Sequence, residues 1–460
     1  MQTKPYDIAV IGAGVVGCAM ARRFTLDGAR VVVIEKSLEV LDGASKGNSA
    51  ILHTGFDAPP GSLEQQCINA GYLEYLDIAE RLSLPVLKCG AMVLAWNEEQ
   101  LSQLPALIEK AHRNGVADVT MLTRQQILQR EPKLAPHLCG GFEVSGESLI
   151  DPWTSAHMYI LQALANGAEL VRGAEVVEGK FAQGVWTLRT TAGEFCASHV
   201  INCAGLYGDV VDERLMGRRD FTVTPRKGQF VVFDRPASEL VSSIILPVPT
   251  KTTKGVVICR TIFGNVLVGP TAEDQQSRAD VSTDRDALLA LRDKGVAMLP
   301  DLADCEITAT YAGLRPATEH QDYQIRQHAA CNAVTVGGIR STGLSSALGI
   351  ARHVTELLAQ TGVQFTALPD PVIPDADRLS NYHPRDWETA GNCGIVCHCE
   401  LVTRRELERV LDGPMPPATL SGLKRRTRVT MGRCQGFYCL AELAQITKDR
   451  LMHPIECEND

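Results

Sequence analysis

Hydrophobic positions are most concentrated at the start of the chain. Asp7 to Ile11 is apolar and β-prone, Gly12 to Gly17 is rich in glycine, and helical spacing runs from about Val15 to Asp27. Gly28 ends that pattern, and Arg30-Val-Val-Val-Ile34 is a second apolar run closing on Glu35. Neither apolar run alternates, which is the pattern of strands covered on both faces. The first thirty-five residues therefore predict a βαβ unit in a parallel sheet.

Farther along, residues 70 to 135 predict mostly helical structure with polar faces. The alternating segments 185–202 and 221–233 predict antiparallel strands of a second layer. Asn332 to Gly337 predicts another strand, followed by a Gly/Ser-rich turn and a helix from about Leu344 to Gln360. The stretch 366–392 is rich in proline and lacks periodicity, which suggests a linker ahead of a compact C-terminal segment.

At 460 residues, two or three domains are expected. A formal charge of −9 excludes a general nucleic-acid binder, which needs a basic face. No apolar run reaches the roughly 18–20 residues of a membrane span, and the N-terminus enters a strand without a leader pattern. A cytoplasmic chain is expected, peripheral at a membrane only through a partner. Fifteen cysteines are many for a reducing compartment, and four of them cluster: Cys397, Cys399, Cys434 and Cys439. The others read as small apolar residues, Cys393 included.

Gly12-Ala-Gly14-Val-Val-Gly17 fits the dinucleotide fingerprint. Its glycines allow a tight turn, a close approach of pyrophosphate and close helix–strand packing, and the helix N-terminus favours the phosphates. Glu35 stands where a carboxylate can accept hydrogen bonds from the adenosine ribose. Two later loops, Asp42 to Ala50 and Ala204-Gly205 to Asp209, are suited to wrapping an extended cofactor.

Together these loops resemble the D-amino-acid-oxidase superfamily of flavoproteins. Within it the chain is similar to the glycerol-3-phosphate and L-2-hydroxyglutarate dehydrogenase branch. The segments that carry the likeness include Asn48 to Gly55, Pro60 to Leu63, Pro225 to Gly228, Leu267 to Thr271, Tyr311 to Pro316 and Gly337 to Gly343. The resemblance implies an α/β fold, α+β overall. A Rossmann-like FAD-binding domain would be built from about 1–75, 150–215 and 310–365, with an antiparallel-sheet substrate domain inserted at about 76–149 and 216–309. The flavoprotein would span 1–365, the linker 366–392 and a small helical [2Fe–2S] domain 393–457.

The same resemblance implies that FAD is held by Gly12, Gly14, Gly17, Glu35 and Lys36, and by Ser45, Asn48 and Ser49. Val176, Ala204 and Gly205 would complete the adenosine side, and Gly313, Gly338, Thr342, Gly343 and Leu344 the flavin side. Arg315 is the preferred substrate residue, because a planar guanidinium clamps a carboxylate or phosphate with two hydrogen bonds. His53 is either the base that takes the hydroxyl proton or a residue that positions the flavin. Lys227, Lys251, Lys254 and Arg260 are weaker anion-binding candidates. Arg340 departs from the family pattern and offers a second cation for a small anionic substrate.

Cys397-His-Cys399 and Cys434-(x4)-Cys439 stand 34 residues apart. Four thiolates suit zinc or an iron–sulfur cluster, and the unequal spacing within the pairs differs from the usual zinc ribbon. It resembles the bacterioferritin-associated-ferredoxin type of [2Fe–2S] domain. A flavoprotein with such a tail is similar to the catalytic subunits of anaerobic glycerol-3-phosphate dehydrogenases. Related flavoproteins with iron–sulfur parts also oxidise opines, hydroxyproline and amines. The resemblance implies oxidation of a CH–OH group, glycerol 3-phosphate first, with L-2-hydroxy acids or amines and imino acids as alternatives. It also implies an electron-accepting flavoprotein or iron–sulfur partner. The basic run Lys424 to Arg428 reads as a solvated face, as a stabiliser of the reduced cluster or as a dock for an acidic partner.

Overall fold

The computed structural model describes residues 5–249, 255–376 and 379–455. The first apolar run is strand Tyr6–Ile11, helix Val15–Leu26 follows, and strand Val31–Ile34 lies parallel to the first with Ile8 opposite Val31 and Ile11 opposite Ile34. The helix buries Cys18, Met20, Ala21 and Phe24 on this sheet. Each large apolar side chain so buried contributes about 1.5–3 kcal/mol.

Strand Gly193–Asn202 does two jobs in the same sheet. Its first half pairs antiparallel with Val185–Thr190, and its second half runs parallel to Tyr6–Ile11 and to Ala333–Gly337. Segment 185–202 therefore extends the nucleotide-side sheet of eight strands and is not part of a second layer. The alternation in Val185–Thr190 reflects one face turned to the core and one less buried, within a sheet whose edge is the neighbouring strand Val176–Ala182.

The second layer is a nine-stranded sheet around the long pair Val223–Phe233 and Ile307–Thr318, with Arg226 opposite Arg315. Helices Leu63–Ala79, Glu98–Arg113 and Arg124–Arg130 occupy much of 70–135, but strand Ala91–Ala95 lies between them, buried at every position. A short run with no polar face gives no periodicity by which strand and helix can be told apart. Helix Gly343–Gln360 packs on Leu63–Ala79 and on Val15–Leu26.

The described residues of segment 366–392 lie along the body as a strap. The Leu368 amide donates to Leu26 O, Val372 exchanges hydrogen bonds with Asn166, and Asn381 holds the 261–265 turn through Ile262 O and Phe263 O. Beyond it, strands Ile395–Cys397 and Val402–Thr403 and helices Arg404–Leu411, Leu420–Thr427 and Leu440–Thr447 enclose their own core.

This C-terminal unit is docked on the flavoprotein body by buried charges. Glu39 accepts hydrogen bonds from the amides of Ala418 and Thr419 and from the Thr419 hydroxyl, at 2.6, 2.7 and 3.0 Å. Arg425 reaches Val40 O and Asp42, and Glu400 pairs with both Arg235 and Arg428. Arg425 and Arg428 are buried, so this part of the basic run faces the body rather than solvent. Burial lowers Arg425, with Asp42 and Glu39 opposing the shift.

Candidate functional site

The turn after the first strand is shaped by absent side chains. Gly12 has φ +99°, and a Cβ there would stand 2.6 Å from Cys203 O; one at Gly17 would stand 1.9 Å from Gly12 O. Helix Val15–Leu26 thus starts directly against the turn, and its N-cap residue Gly14 supplies no side-chain cap. Open backbone at a helix N-terminus is a ready anion site.

A cavity of about 690 Å³ opens from this turn, within the ordinary range of about 300–1,000 Å³ for ligand sites. Gly12, Gly14, Glu35, Lys36, Ser45, Asn48, Ser49, Val176, Ala204, Gly205, Gly313, Gly343 and Leu344 all line it. Gly17, Gly338 and Thr342 stand behind the wall. Thr342 is buried and donates to Glu64 Oε1 at 2.9 Å. The buried Glu35 carboxylate accepts from the amides of Ala13 and Ser37, at 2.6 and 2.8 Å. Burial raises its pKa, and these amides work against that shift. Lys36 lies over the Tyr207 ring, 3.2 Å from the centroid. A cradle without Cβ atoms at a helix N-terminus, with a buried carboxylate one strand away, fits the pyrophosphate and ribose of FAD.

A Cβ on Gly14 would meet only Ser45 Oγ, at 3.2 Å. Gly14→Ala is therefore expected to fold normally but to bind FAD at least about tenfold more weakly, since a methyl group intrudes on the pyrophosphate approach. Fluorescence titration of the apoprotein measures this, and an unchanged Kd would move the pyrophosphate elsewhere.

At the other end of the cavity stand His53 and Arg315. His53 Nδ1 lies 2.8 Å from Glu147 Oε2, and Glu147 is fully buried. The other carboxylate oxygen accepts from the Thr54 amide and hydroxyl, at 2.7 and 2.9 Å. The imidazole is thereby fixed in orientation, with Nδ1 turned to the carboxylate. Arg315 projects from strand Ile307–Thr318 and donates to Thr271 O at 2.9 Å. Among the described residues it forms no ion pair. Burial, and then the neighbouring Arg226, lower its pKa to about 10, with Asp274 opposing. It remains a cation at neutral pH, held in a place that favours an anion.

Other predicted cations are differently placed. Arg340 lines the cavity but pairs with the buried Glu64 at 2.8 Å, so its charge is compensated within the protein. Lys227 pairs with Asp280. Arg260, at the end of strand Val257–Arg260, does not belong to the cavity wall. Lys251 and Lys254 lie outside the described residues. Two features escaped sequence reasoning: Glu147, and the Arg278–Asp209 pair that braces the Leu206–Tyr207 wall. The one available signal for Glu147 was an acidic residue just before the short strand Ser148–Ile150.

In the C-terminal unit the cysteines face each other as two pairs, Cys399 with Cys434 and Cys397 with Cys439. The Tyr438 amide, joined by those of Gly436 and Phe437, holds the Cys434 thiol below its ordinary range, against burial and with help from Cys399. Amides directed at a sulfur favour the thiolate form that iron requires, so this loop fits a cluster ligand. Within the same loop Phe437 and Tyr438 are 81% and 76% exposed, the highest values of any large apolar side chain among the described residues.

Comparison with known proteins bears on both parts. The family described as FAD dependent oxidoreductase matches residues 7–357, and the BFD-like [2Fe-2S] binding domain matches residues 395–448. The glycerol 3-phosphate dehydrogenase of Caloramator mitchellensis is 30% identical over 470 residues, covering 99% of this chain and 96% of the relative. L-2-hydroxyglutarate dehydrogenase of Indibacter alkaliphilus is 27% identical, covering 58% of this chain and 68% of the relative. Among solved structures, FAD-bound L-alpha-glycerophosphate oxidase from Mycoplasma pneumoniae superposes with a TM-score of 0.75 at 29% identity, covering 80% of this chain and 98% of that one.

Proposed function

The chain belongs to the FAD dependent oxidoreductase family and carries a BFD-like [2Fe-2S] binding domain, and from that premise we propose that it oxidises the secondary alcohol of glycerol 3-phosphate and passes the electrons through the cluster to a protein acceptor. The observation that carries this reading is the convergence of three groups on one cavity. His53, oriented by Glu147, and the half-buried cation Arg315 line the same space as the Gly12–Gly14 turn.

In this reading Arg315 binds the phosphate, with the fork of its guanidinium fixing the anion and so the carbinol carbon. FAD held along the Gly12–Gly14 turn and Glu35 would supply the hydride acceptor for that carbon. His53 takes the hydroxyl proton at Nε2, the ring nitrogen opposite Glu147. The carboxylate at Nδ1 stabilises the imidazolium that results. Buried walls around Glu147 and Arg315 keep these charges strong by limiting water.

Anaerobic mixing of the oxidised holoenzyme with glycerol 3-phosphate tests the reading: the flavin absorbance is expected to bleach. Bleaching by L-2-hydroxyglutarate alone would transfer the assignment to 2-hydroxy acids, whose carboxylate Arg315 could clamp equally well. Rapid turnover with O₂ and stoichiometric peroxide would place the chain with the oxidases. Among the described residues no helix is long and apolar enough to cross a membrane. In this reading any membrane contact is made by the acceptor, which docks near the exposed Phe437 and Tyr438.

A further inference from the structure

We propose that the Trp153–Phe263 stack, capped by Arg428, is the electron path between the flavin cavity and the cluster domain. The proposal rests on the reading above that electrons pass from FAD to the cluster.

The path is continuous. The Trp153 indole N–H donates to Lys46 O at 3.1 Å, and Lys46 belongs to the loop that lines the flavin cavity. The Trp153 ring stacks on Phe263, with centroids 6.0 Å apart and planes 15° from parallel. The Arg428 guanidinium lies over the Phe263 ring, 3.7 Å from its centroid. Arg428 Nε donates to Glu400 Oε2 at 2.8 Å, and Glu400 follows Cys399 in the chain. Every link is a ring contact, a hydrogen bond or a covalent bond, so an electron need not cross an empty gap.

Arg428 is also an unexpected residue for its position. It caps helix Leu420–Thr427 in the left-handed region, at φ +68°, where glycine is the common choice and a side chain adds strain. That strained arginine is the residue that reaches across to Phe263. The Asn381 amide group, donating to Phe263 O, holds the turn that presents the ring. Another contact between the two parts, Glu39 with Ala418 and Thr419, is made of a carboxylate, amides and a hydroxyl and contains no aromatic ring.

One electron moves in each crossing, from the reduced flavin to the oxidised cluster, and no bond in the bridge forms or breaks. Two crossings, with one electron delivered to an external one-electron acceptor protein between them, return the flavin to its oxidised state. The flavin's protons pass to water. Neither ring changes oxidation state.

The test uses the full chain carrying both cofactors. The flavin is photoreduced anaerobically, and cluster reduction is followed by absorbance and by the EPR signal. Trp153→Leu and Phe263→Leu are expected to slow cluster reduction by about an order of magnitude or more. Dithionite should still produce the full EPR signal. Trp153→Phe and Phe263→Tyr, which keep a ring, should restore the rate. Limited proteolysis of the apoproteins within 366–392 should match wild type, showing that docking is intact. A wild-type rate in the leucine variants overturns the proposal, as does slow transfer that a ring fails to rescue or that accompanies altered cleavage. Photoreduction needs no substrate, so failure of glycerol 3-phosphate to bleach the flavin would sink the substrate assignment and leave this measurement valid.

Discussion

Replacement of His53 by Asn is expected to slow flavin reduction by about 10²–10⁴-fold, the usual contribution of a positioned general base, with little change in substrate affinity. Asn retains polarity and much of the shape of the ring edge but accepts no proton at the Nε2 position. Glu147→Gln provides a sharper comparison. Glu147 Oε2 lies 2.8 Å from His53 Nδ1, and Oε1 is already occupied by the Thr54 amide and hydroxyl. A glutamine there can present its amide N–H to Nδ1, which places the imidazole proton on Nε2 and blocks it from accepting another. Its rate should fall toward that of His53→Asn, and the double variant should be little slower than either single one. Stopped-flow reduction over a range of substrate concentrations separates rate from affinity. An equal loss in both would make His53 a positioning residue.

Arg315→Ala is expected to lose about 2–5 kcal/mol of transition-state binding, because a buried anion is left without its partner. That corresponds to about 30- to 5,000-fold in kcat/KM. Arg315→Lys should recover only part of it, since an ammonium cannot reproduce the two-pronged contact. FAD content should be unchanged in both. The pH dependence has a definite sign. Burial lowers Arg315 to about 10, and only its protonated form holds the substrate anion. The wild-type kcat/KM should therefore fall as pH rises through about 10, whereas Arg315→Ala should lose that limb. Retention of the limb in the alanine variant would assign it to another group.

The sequence revealed those parts of the fold whose signals are local. Tyr6–Ile11, Val15–Leu26 and Val31–Ile34 were legible because turn glycines and apolar runs lie within thirty-five residues. Strand Ala91–Ala95 was not, since five consecutive buried residues carry no period. Segment 185–202 shows its strands but not its layer, because a hairpin with one buried face alternates whichever sheet it joins. At the site, His53 and Arg315 were named from motifs, and the fold brings them to one cavity from positions 262 residues apart. Glu147 sits in no motif, and its role arises only from contacts that folding creates. The basic run at 424–428 could not be resolved by charge alone, because a buried arginine and a solvated one read the same until their acidic partners are located.

Glu39 lies between Glu35, on the ribose side of the cavity, and the Asp42–Ser49 loop. Its carboxylate also accepts from the Ala418 and Thr419 amides just ahead of helix Leu420–Thr427, where a Cβ on Gly422 would stand 2.1 Å from Glu39 Cδ. The two parts of the chain thus meet at one carboxylate, four residues from Glu35 and three from the cofactor-lining loop that starts at Asp42. Whatever factor cluster assembly contributes to flavin affinity, flavin must return to cluster assembly, because such coupling is reciprocal. Flavin affinity measured with and without the cluster therefore also gives the change in cluster affinity that flavin causes.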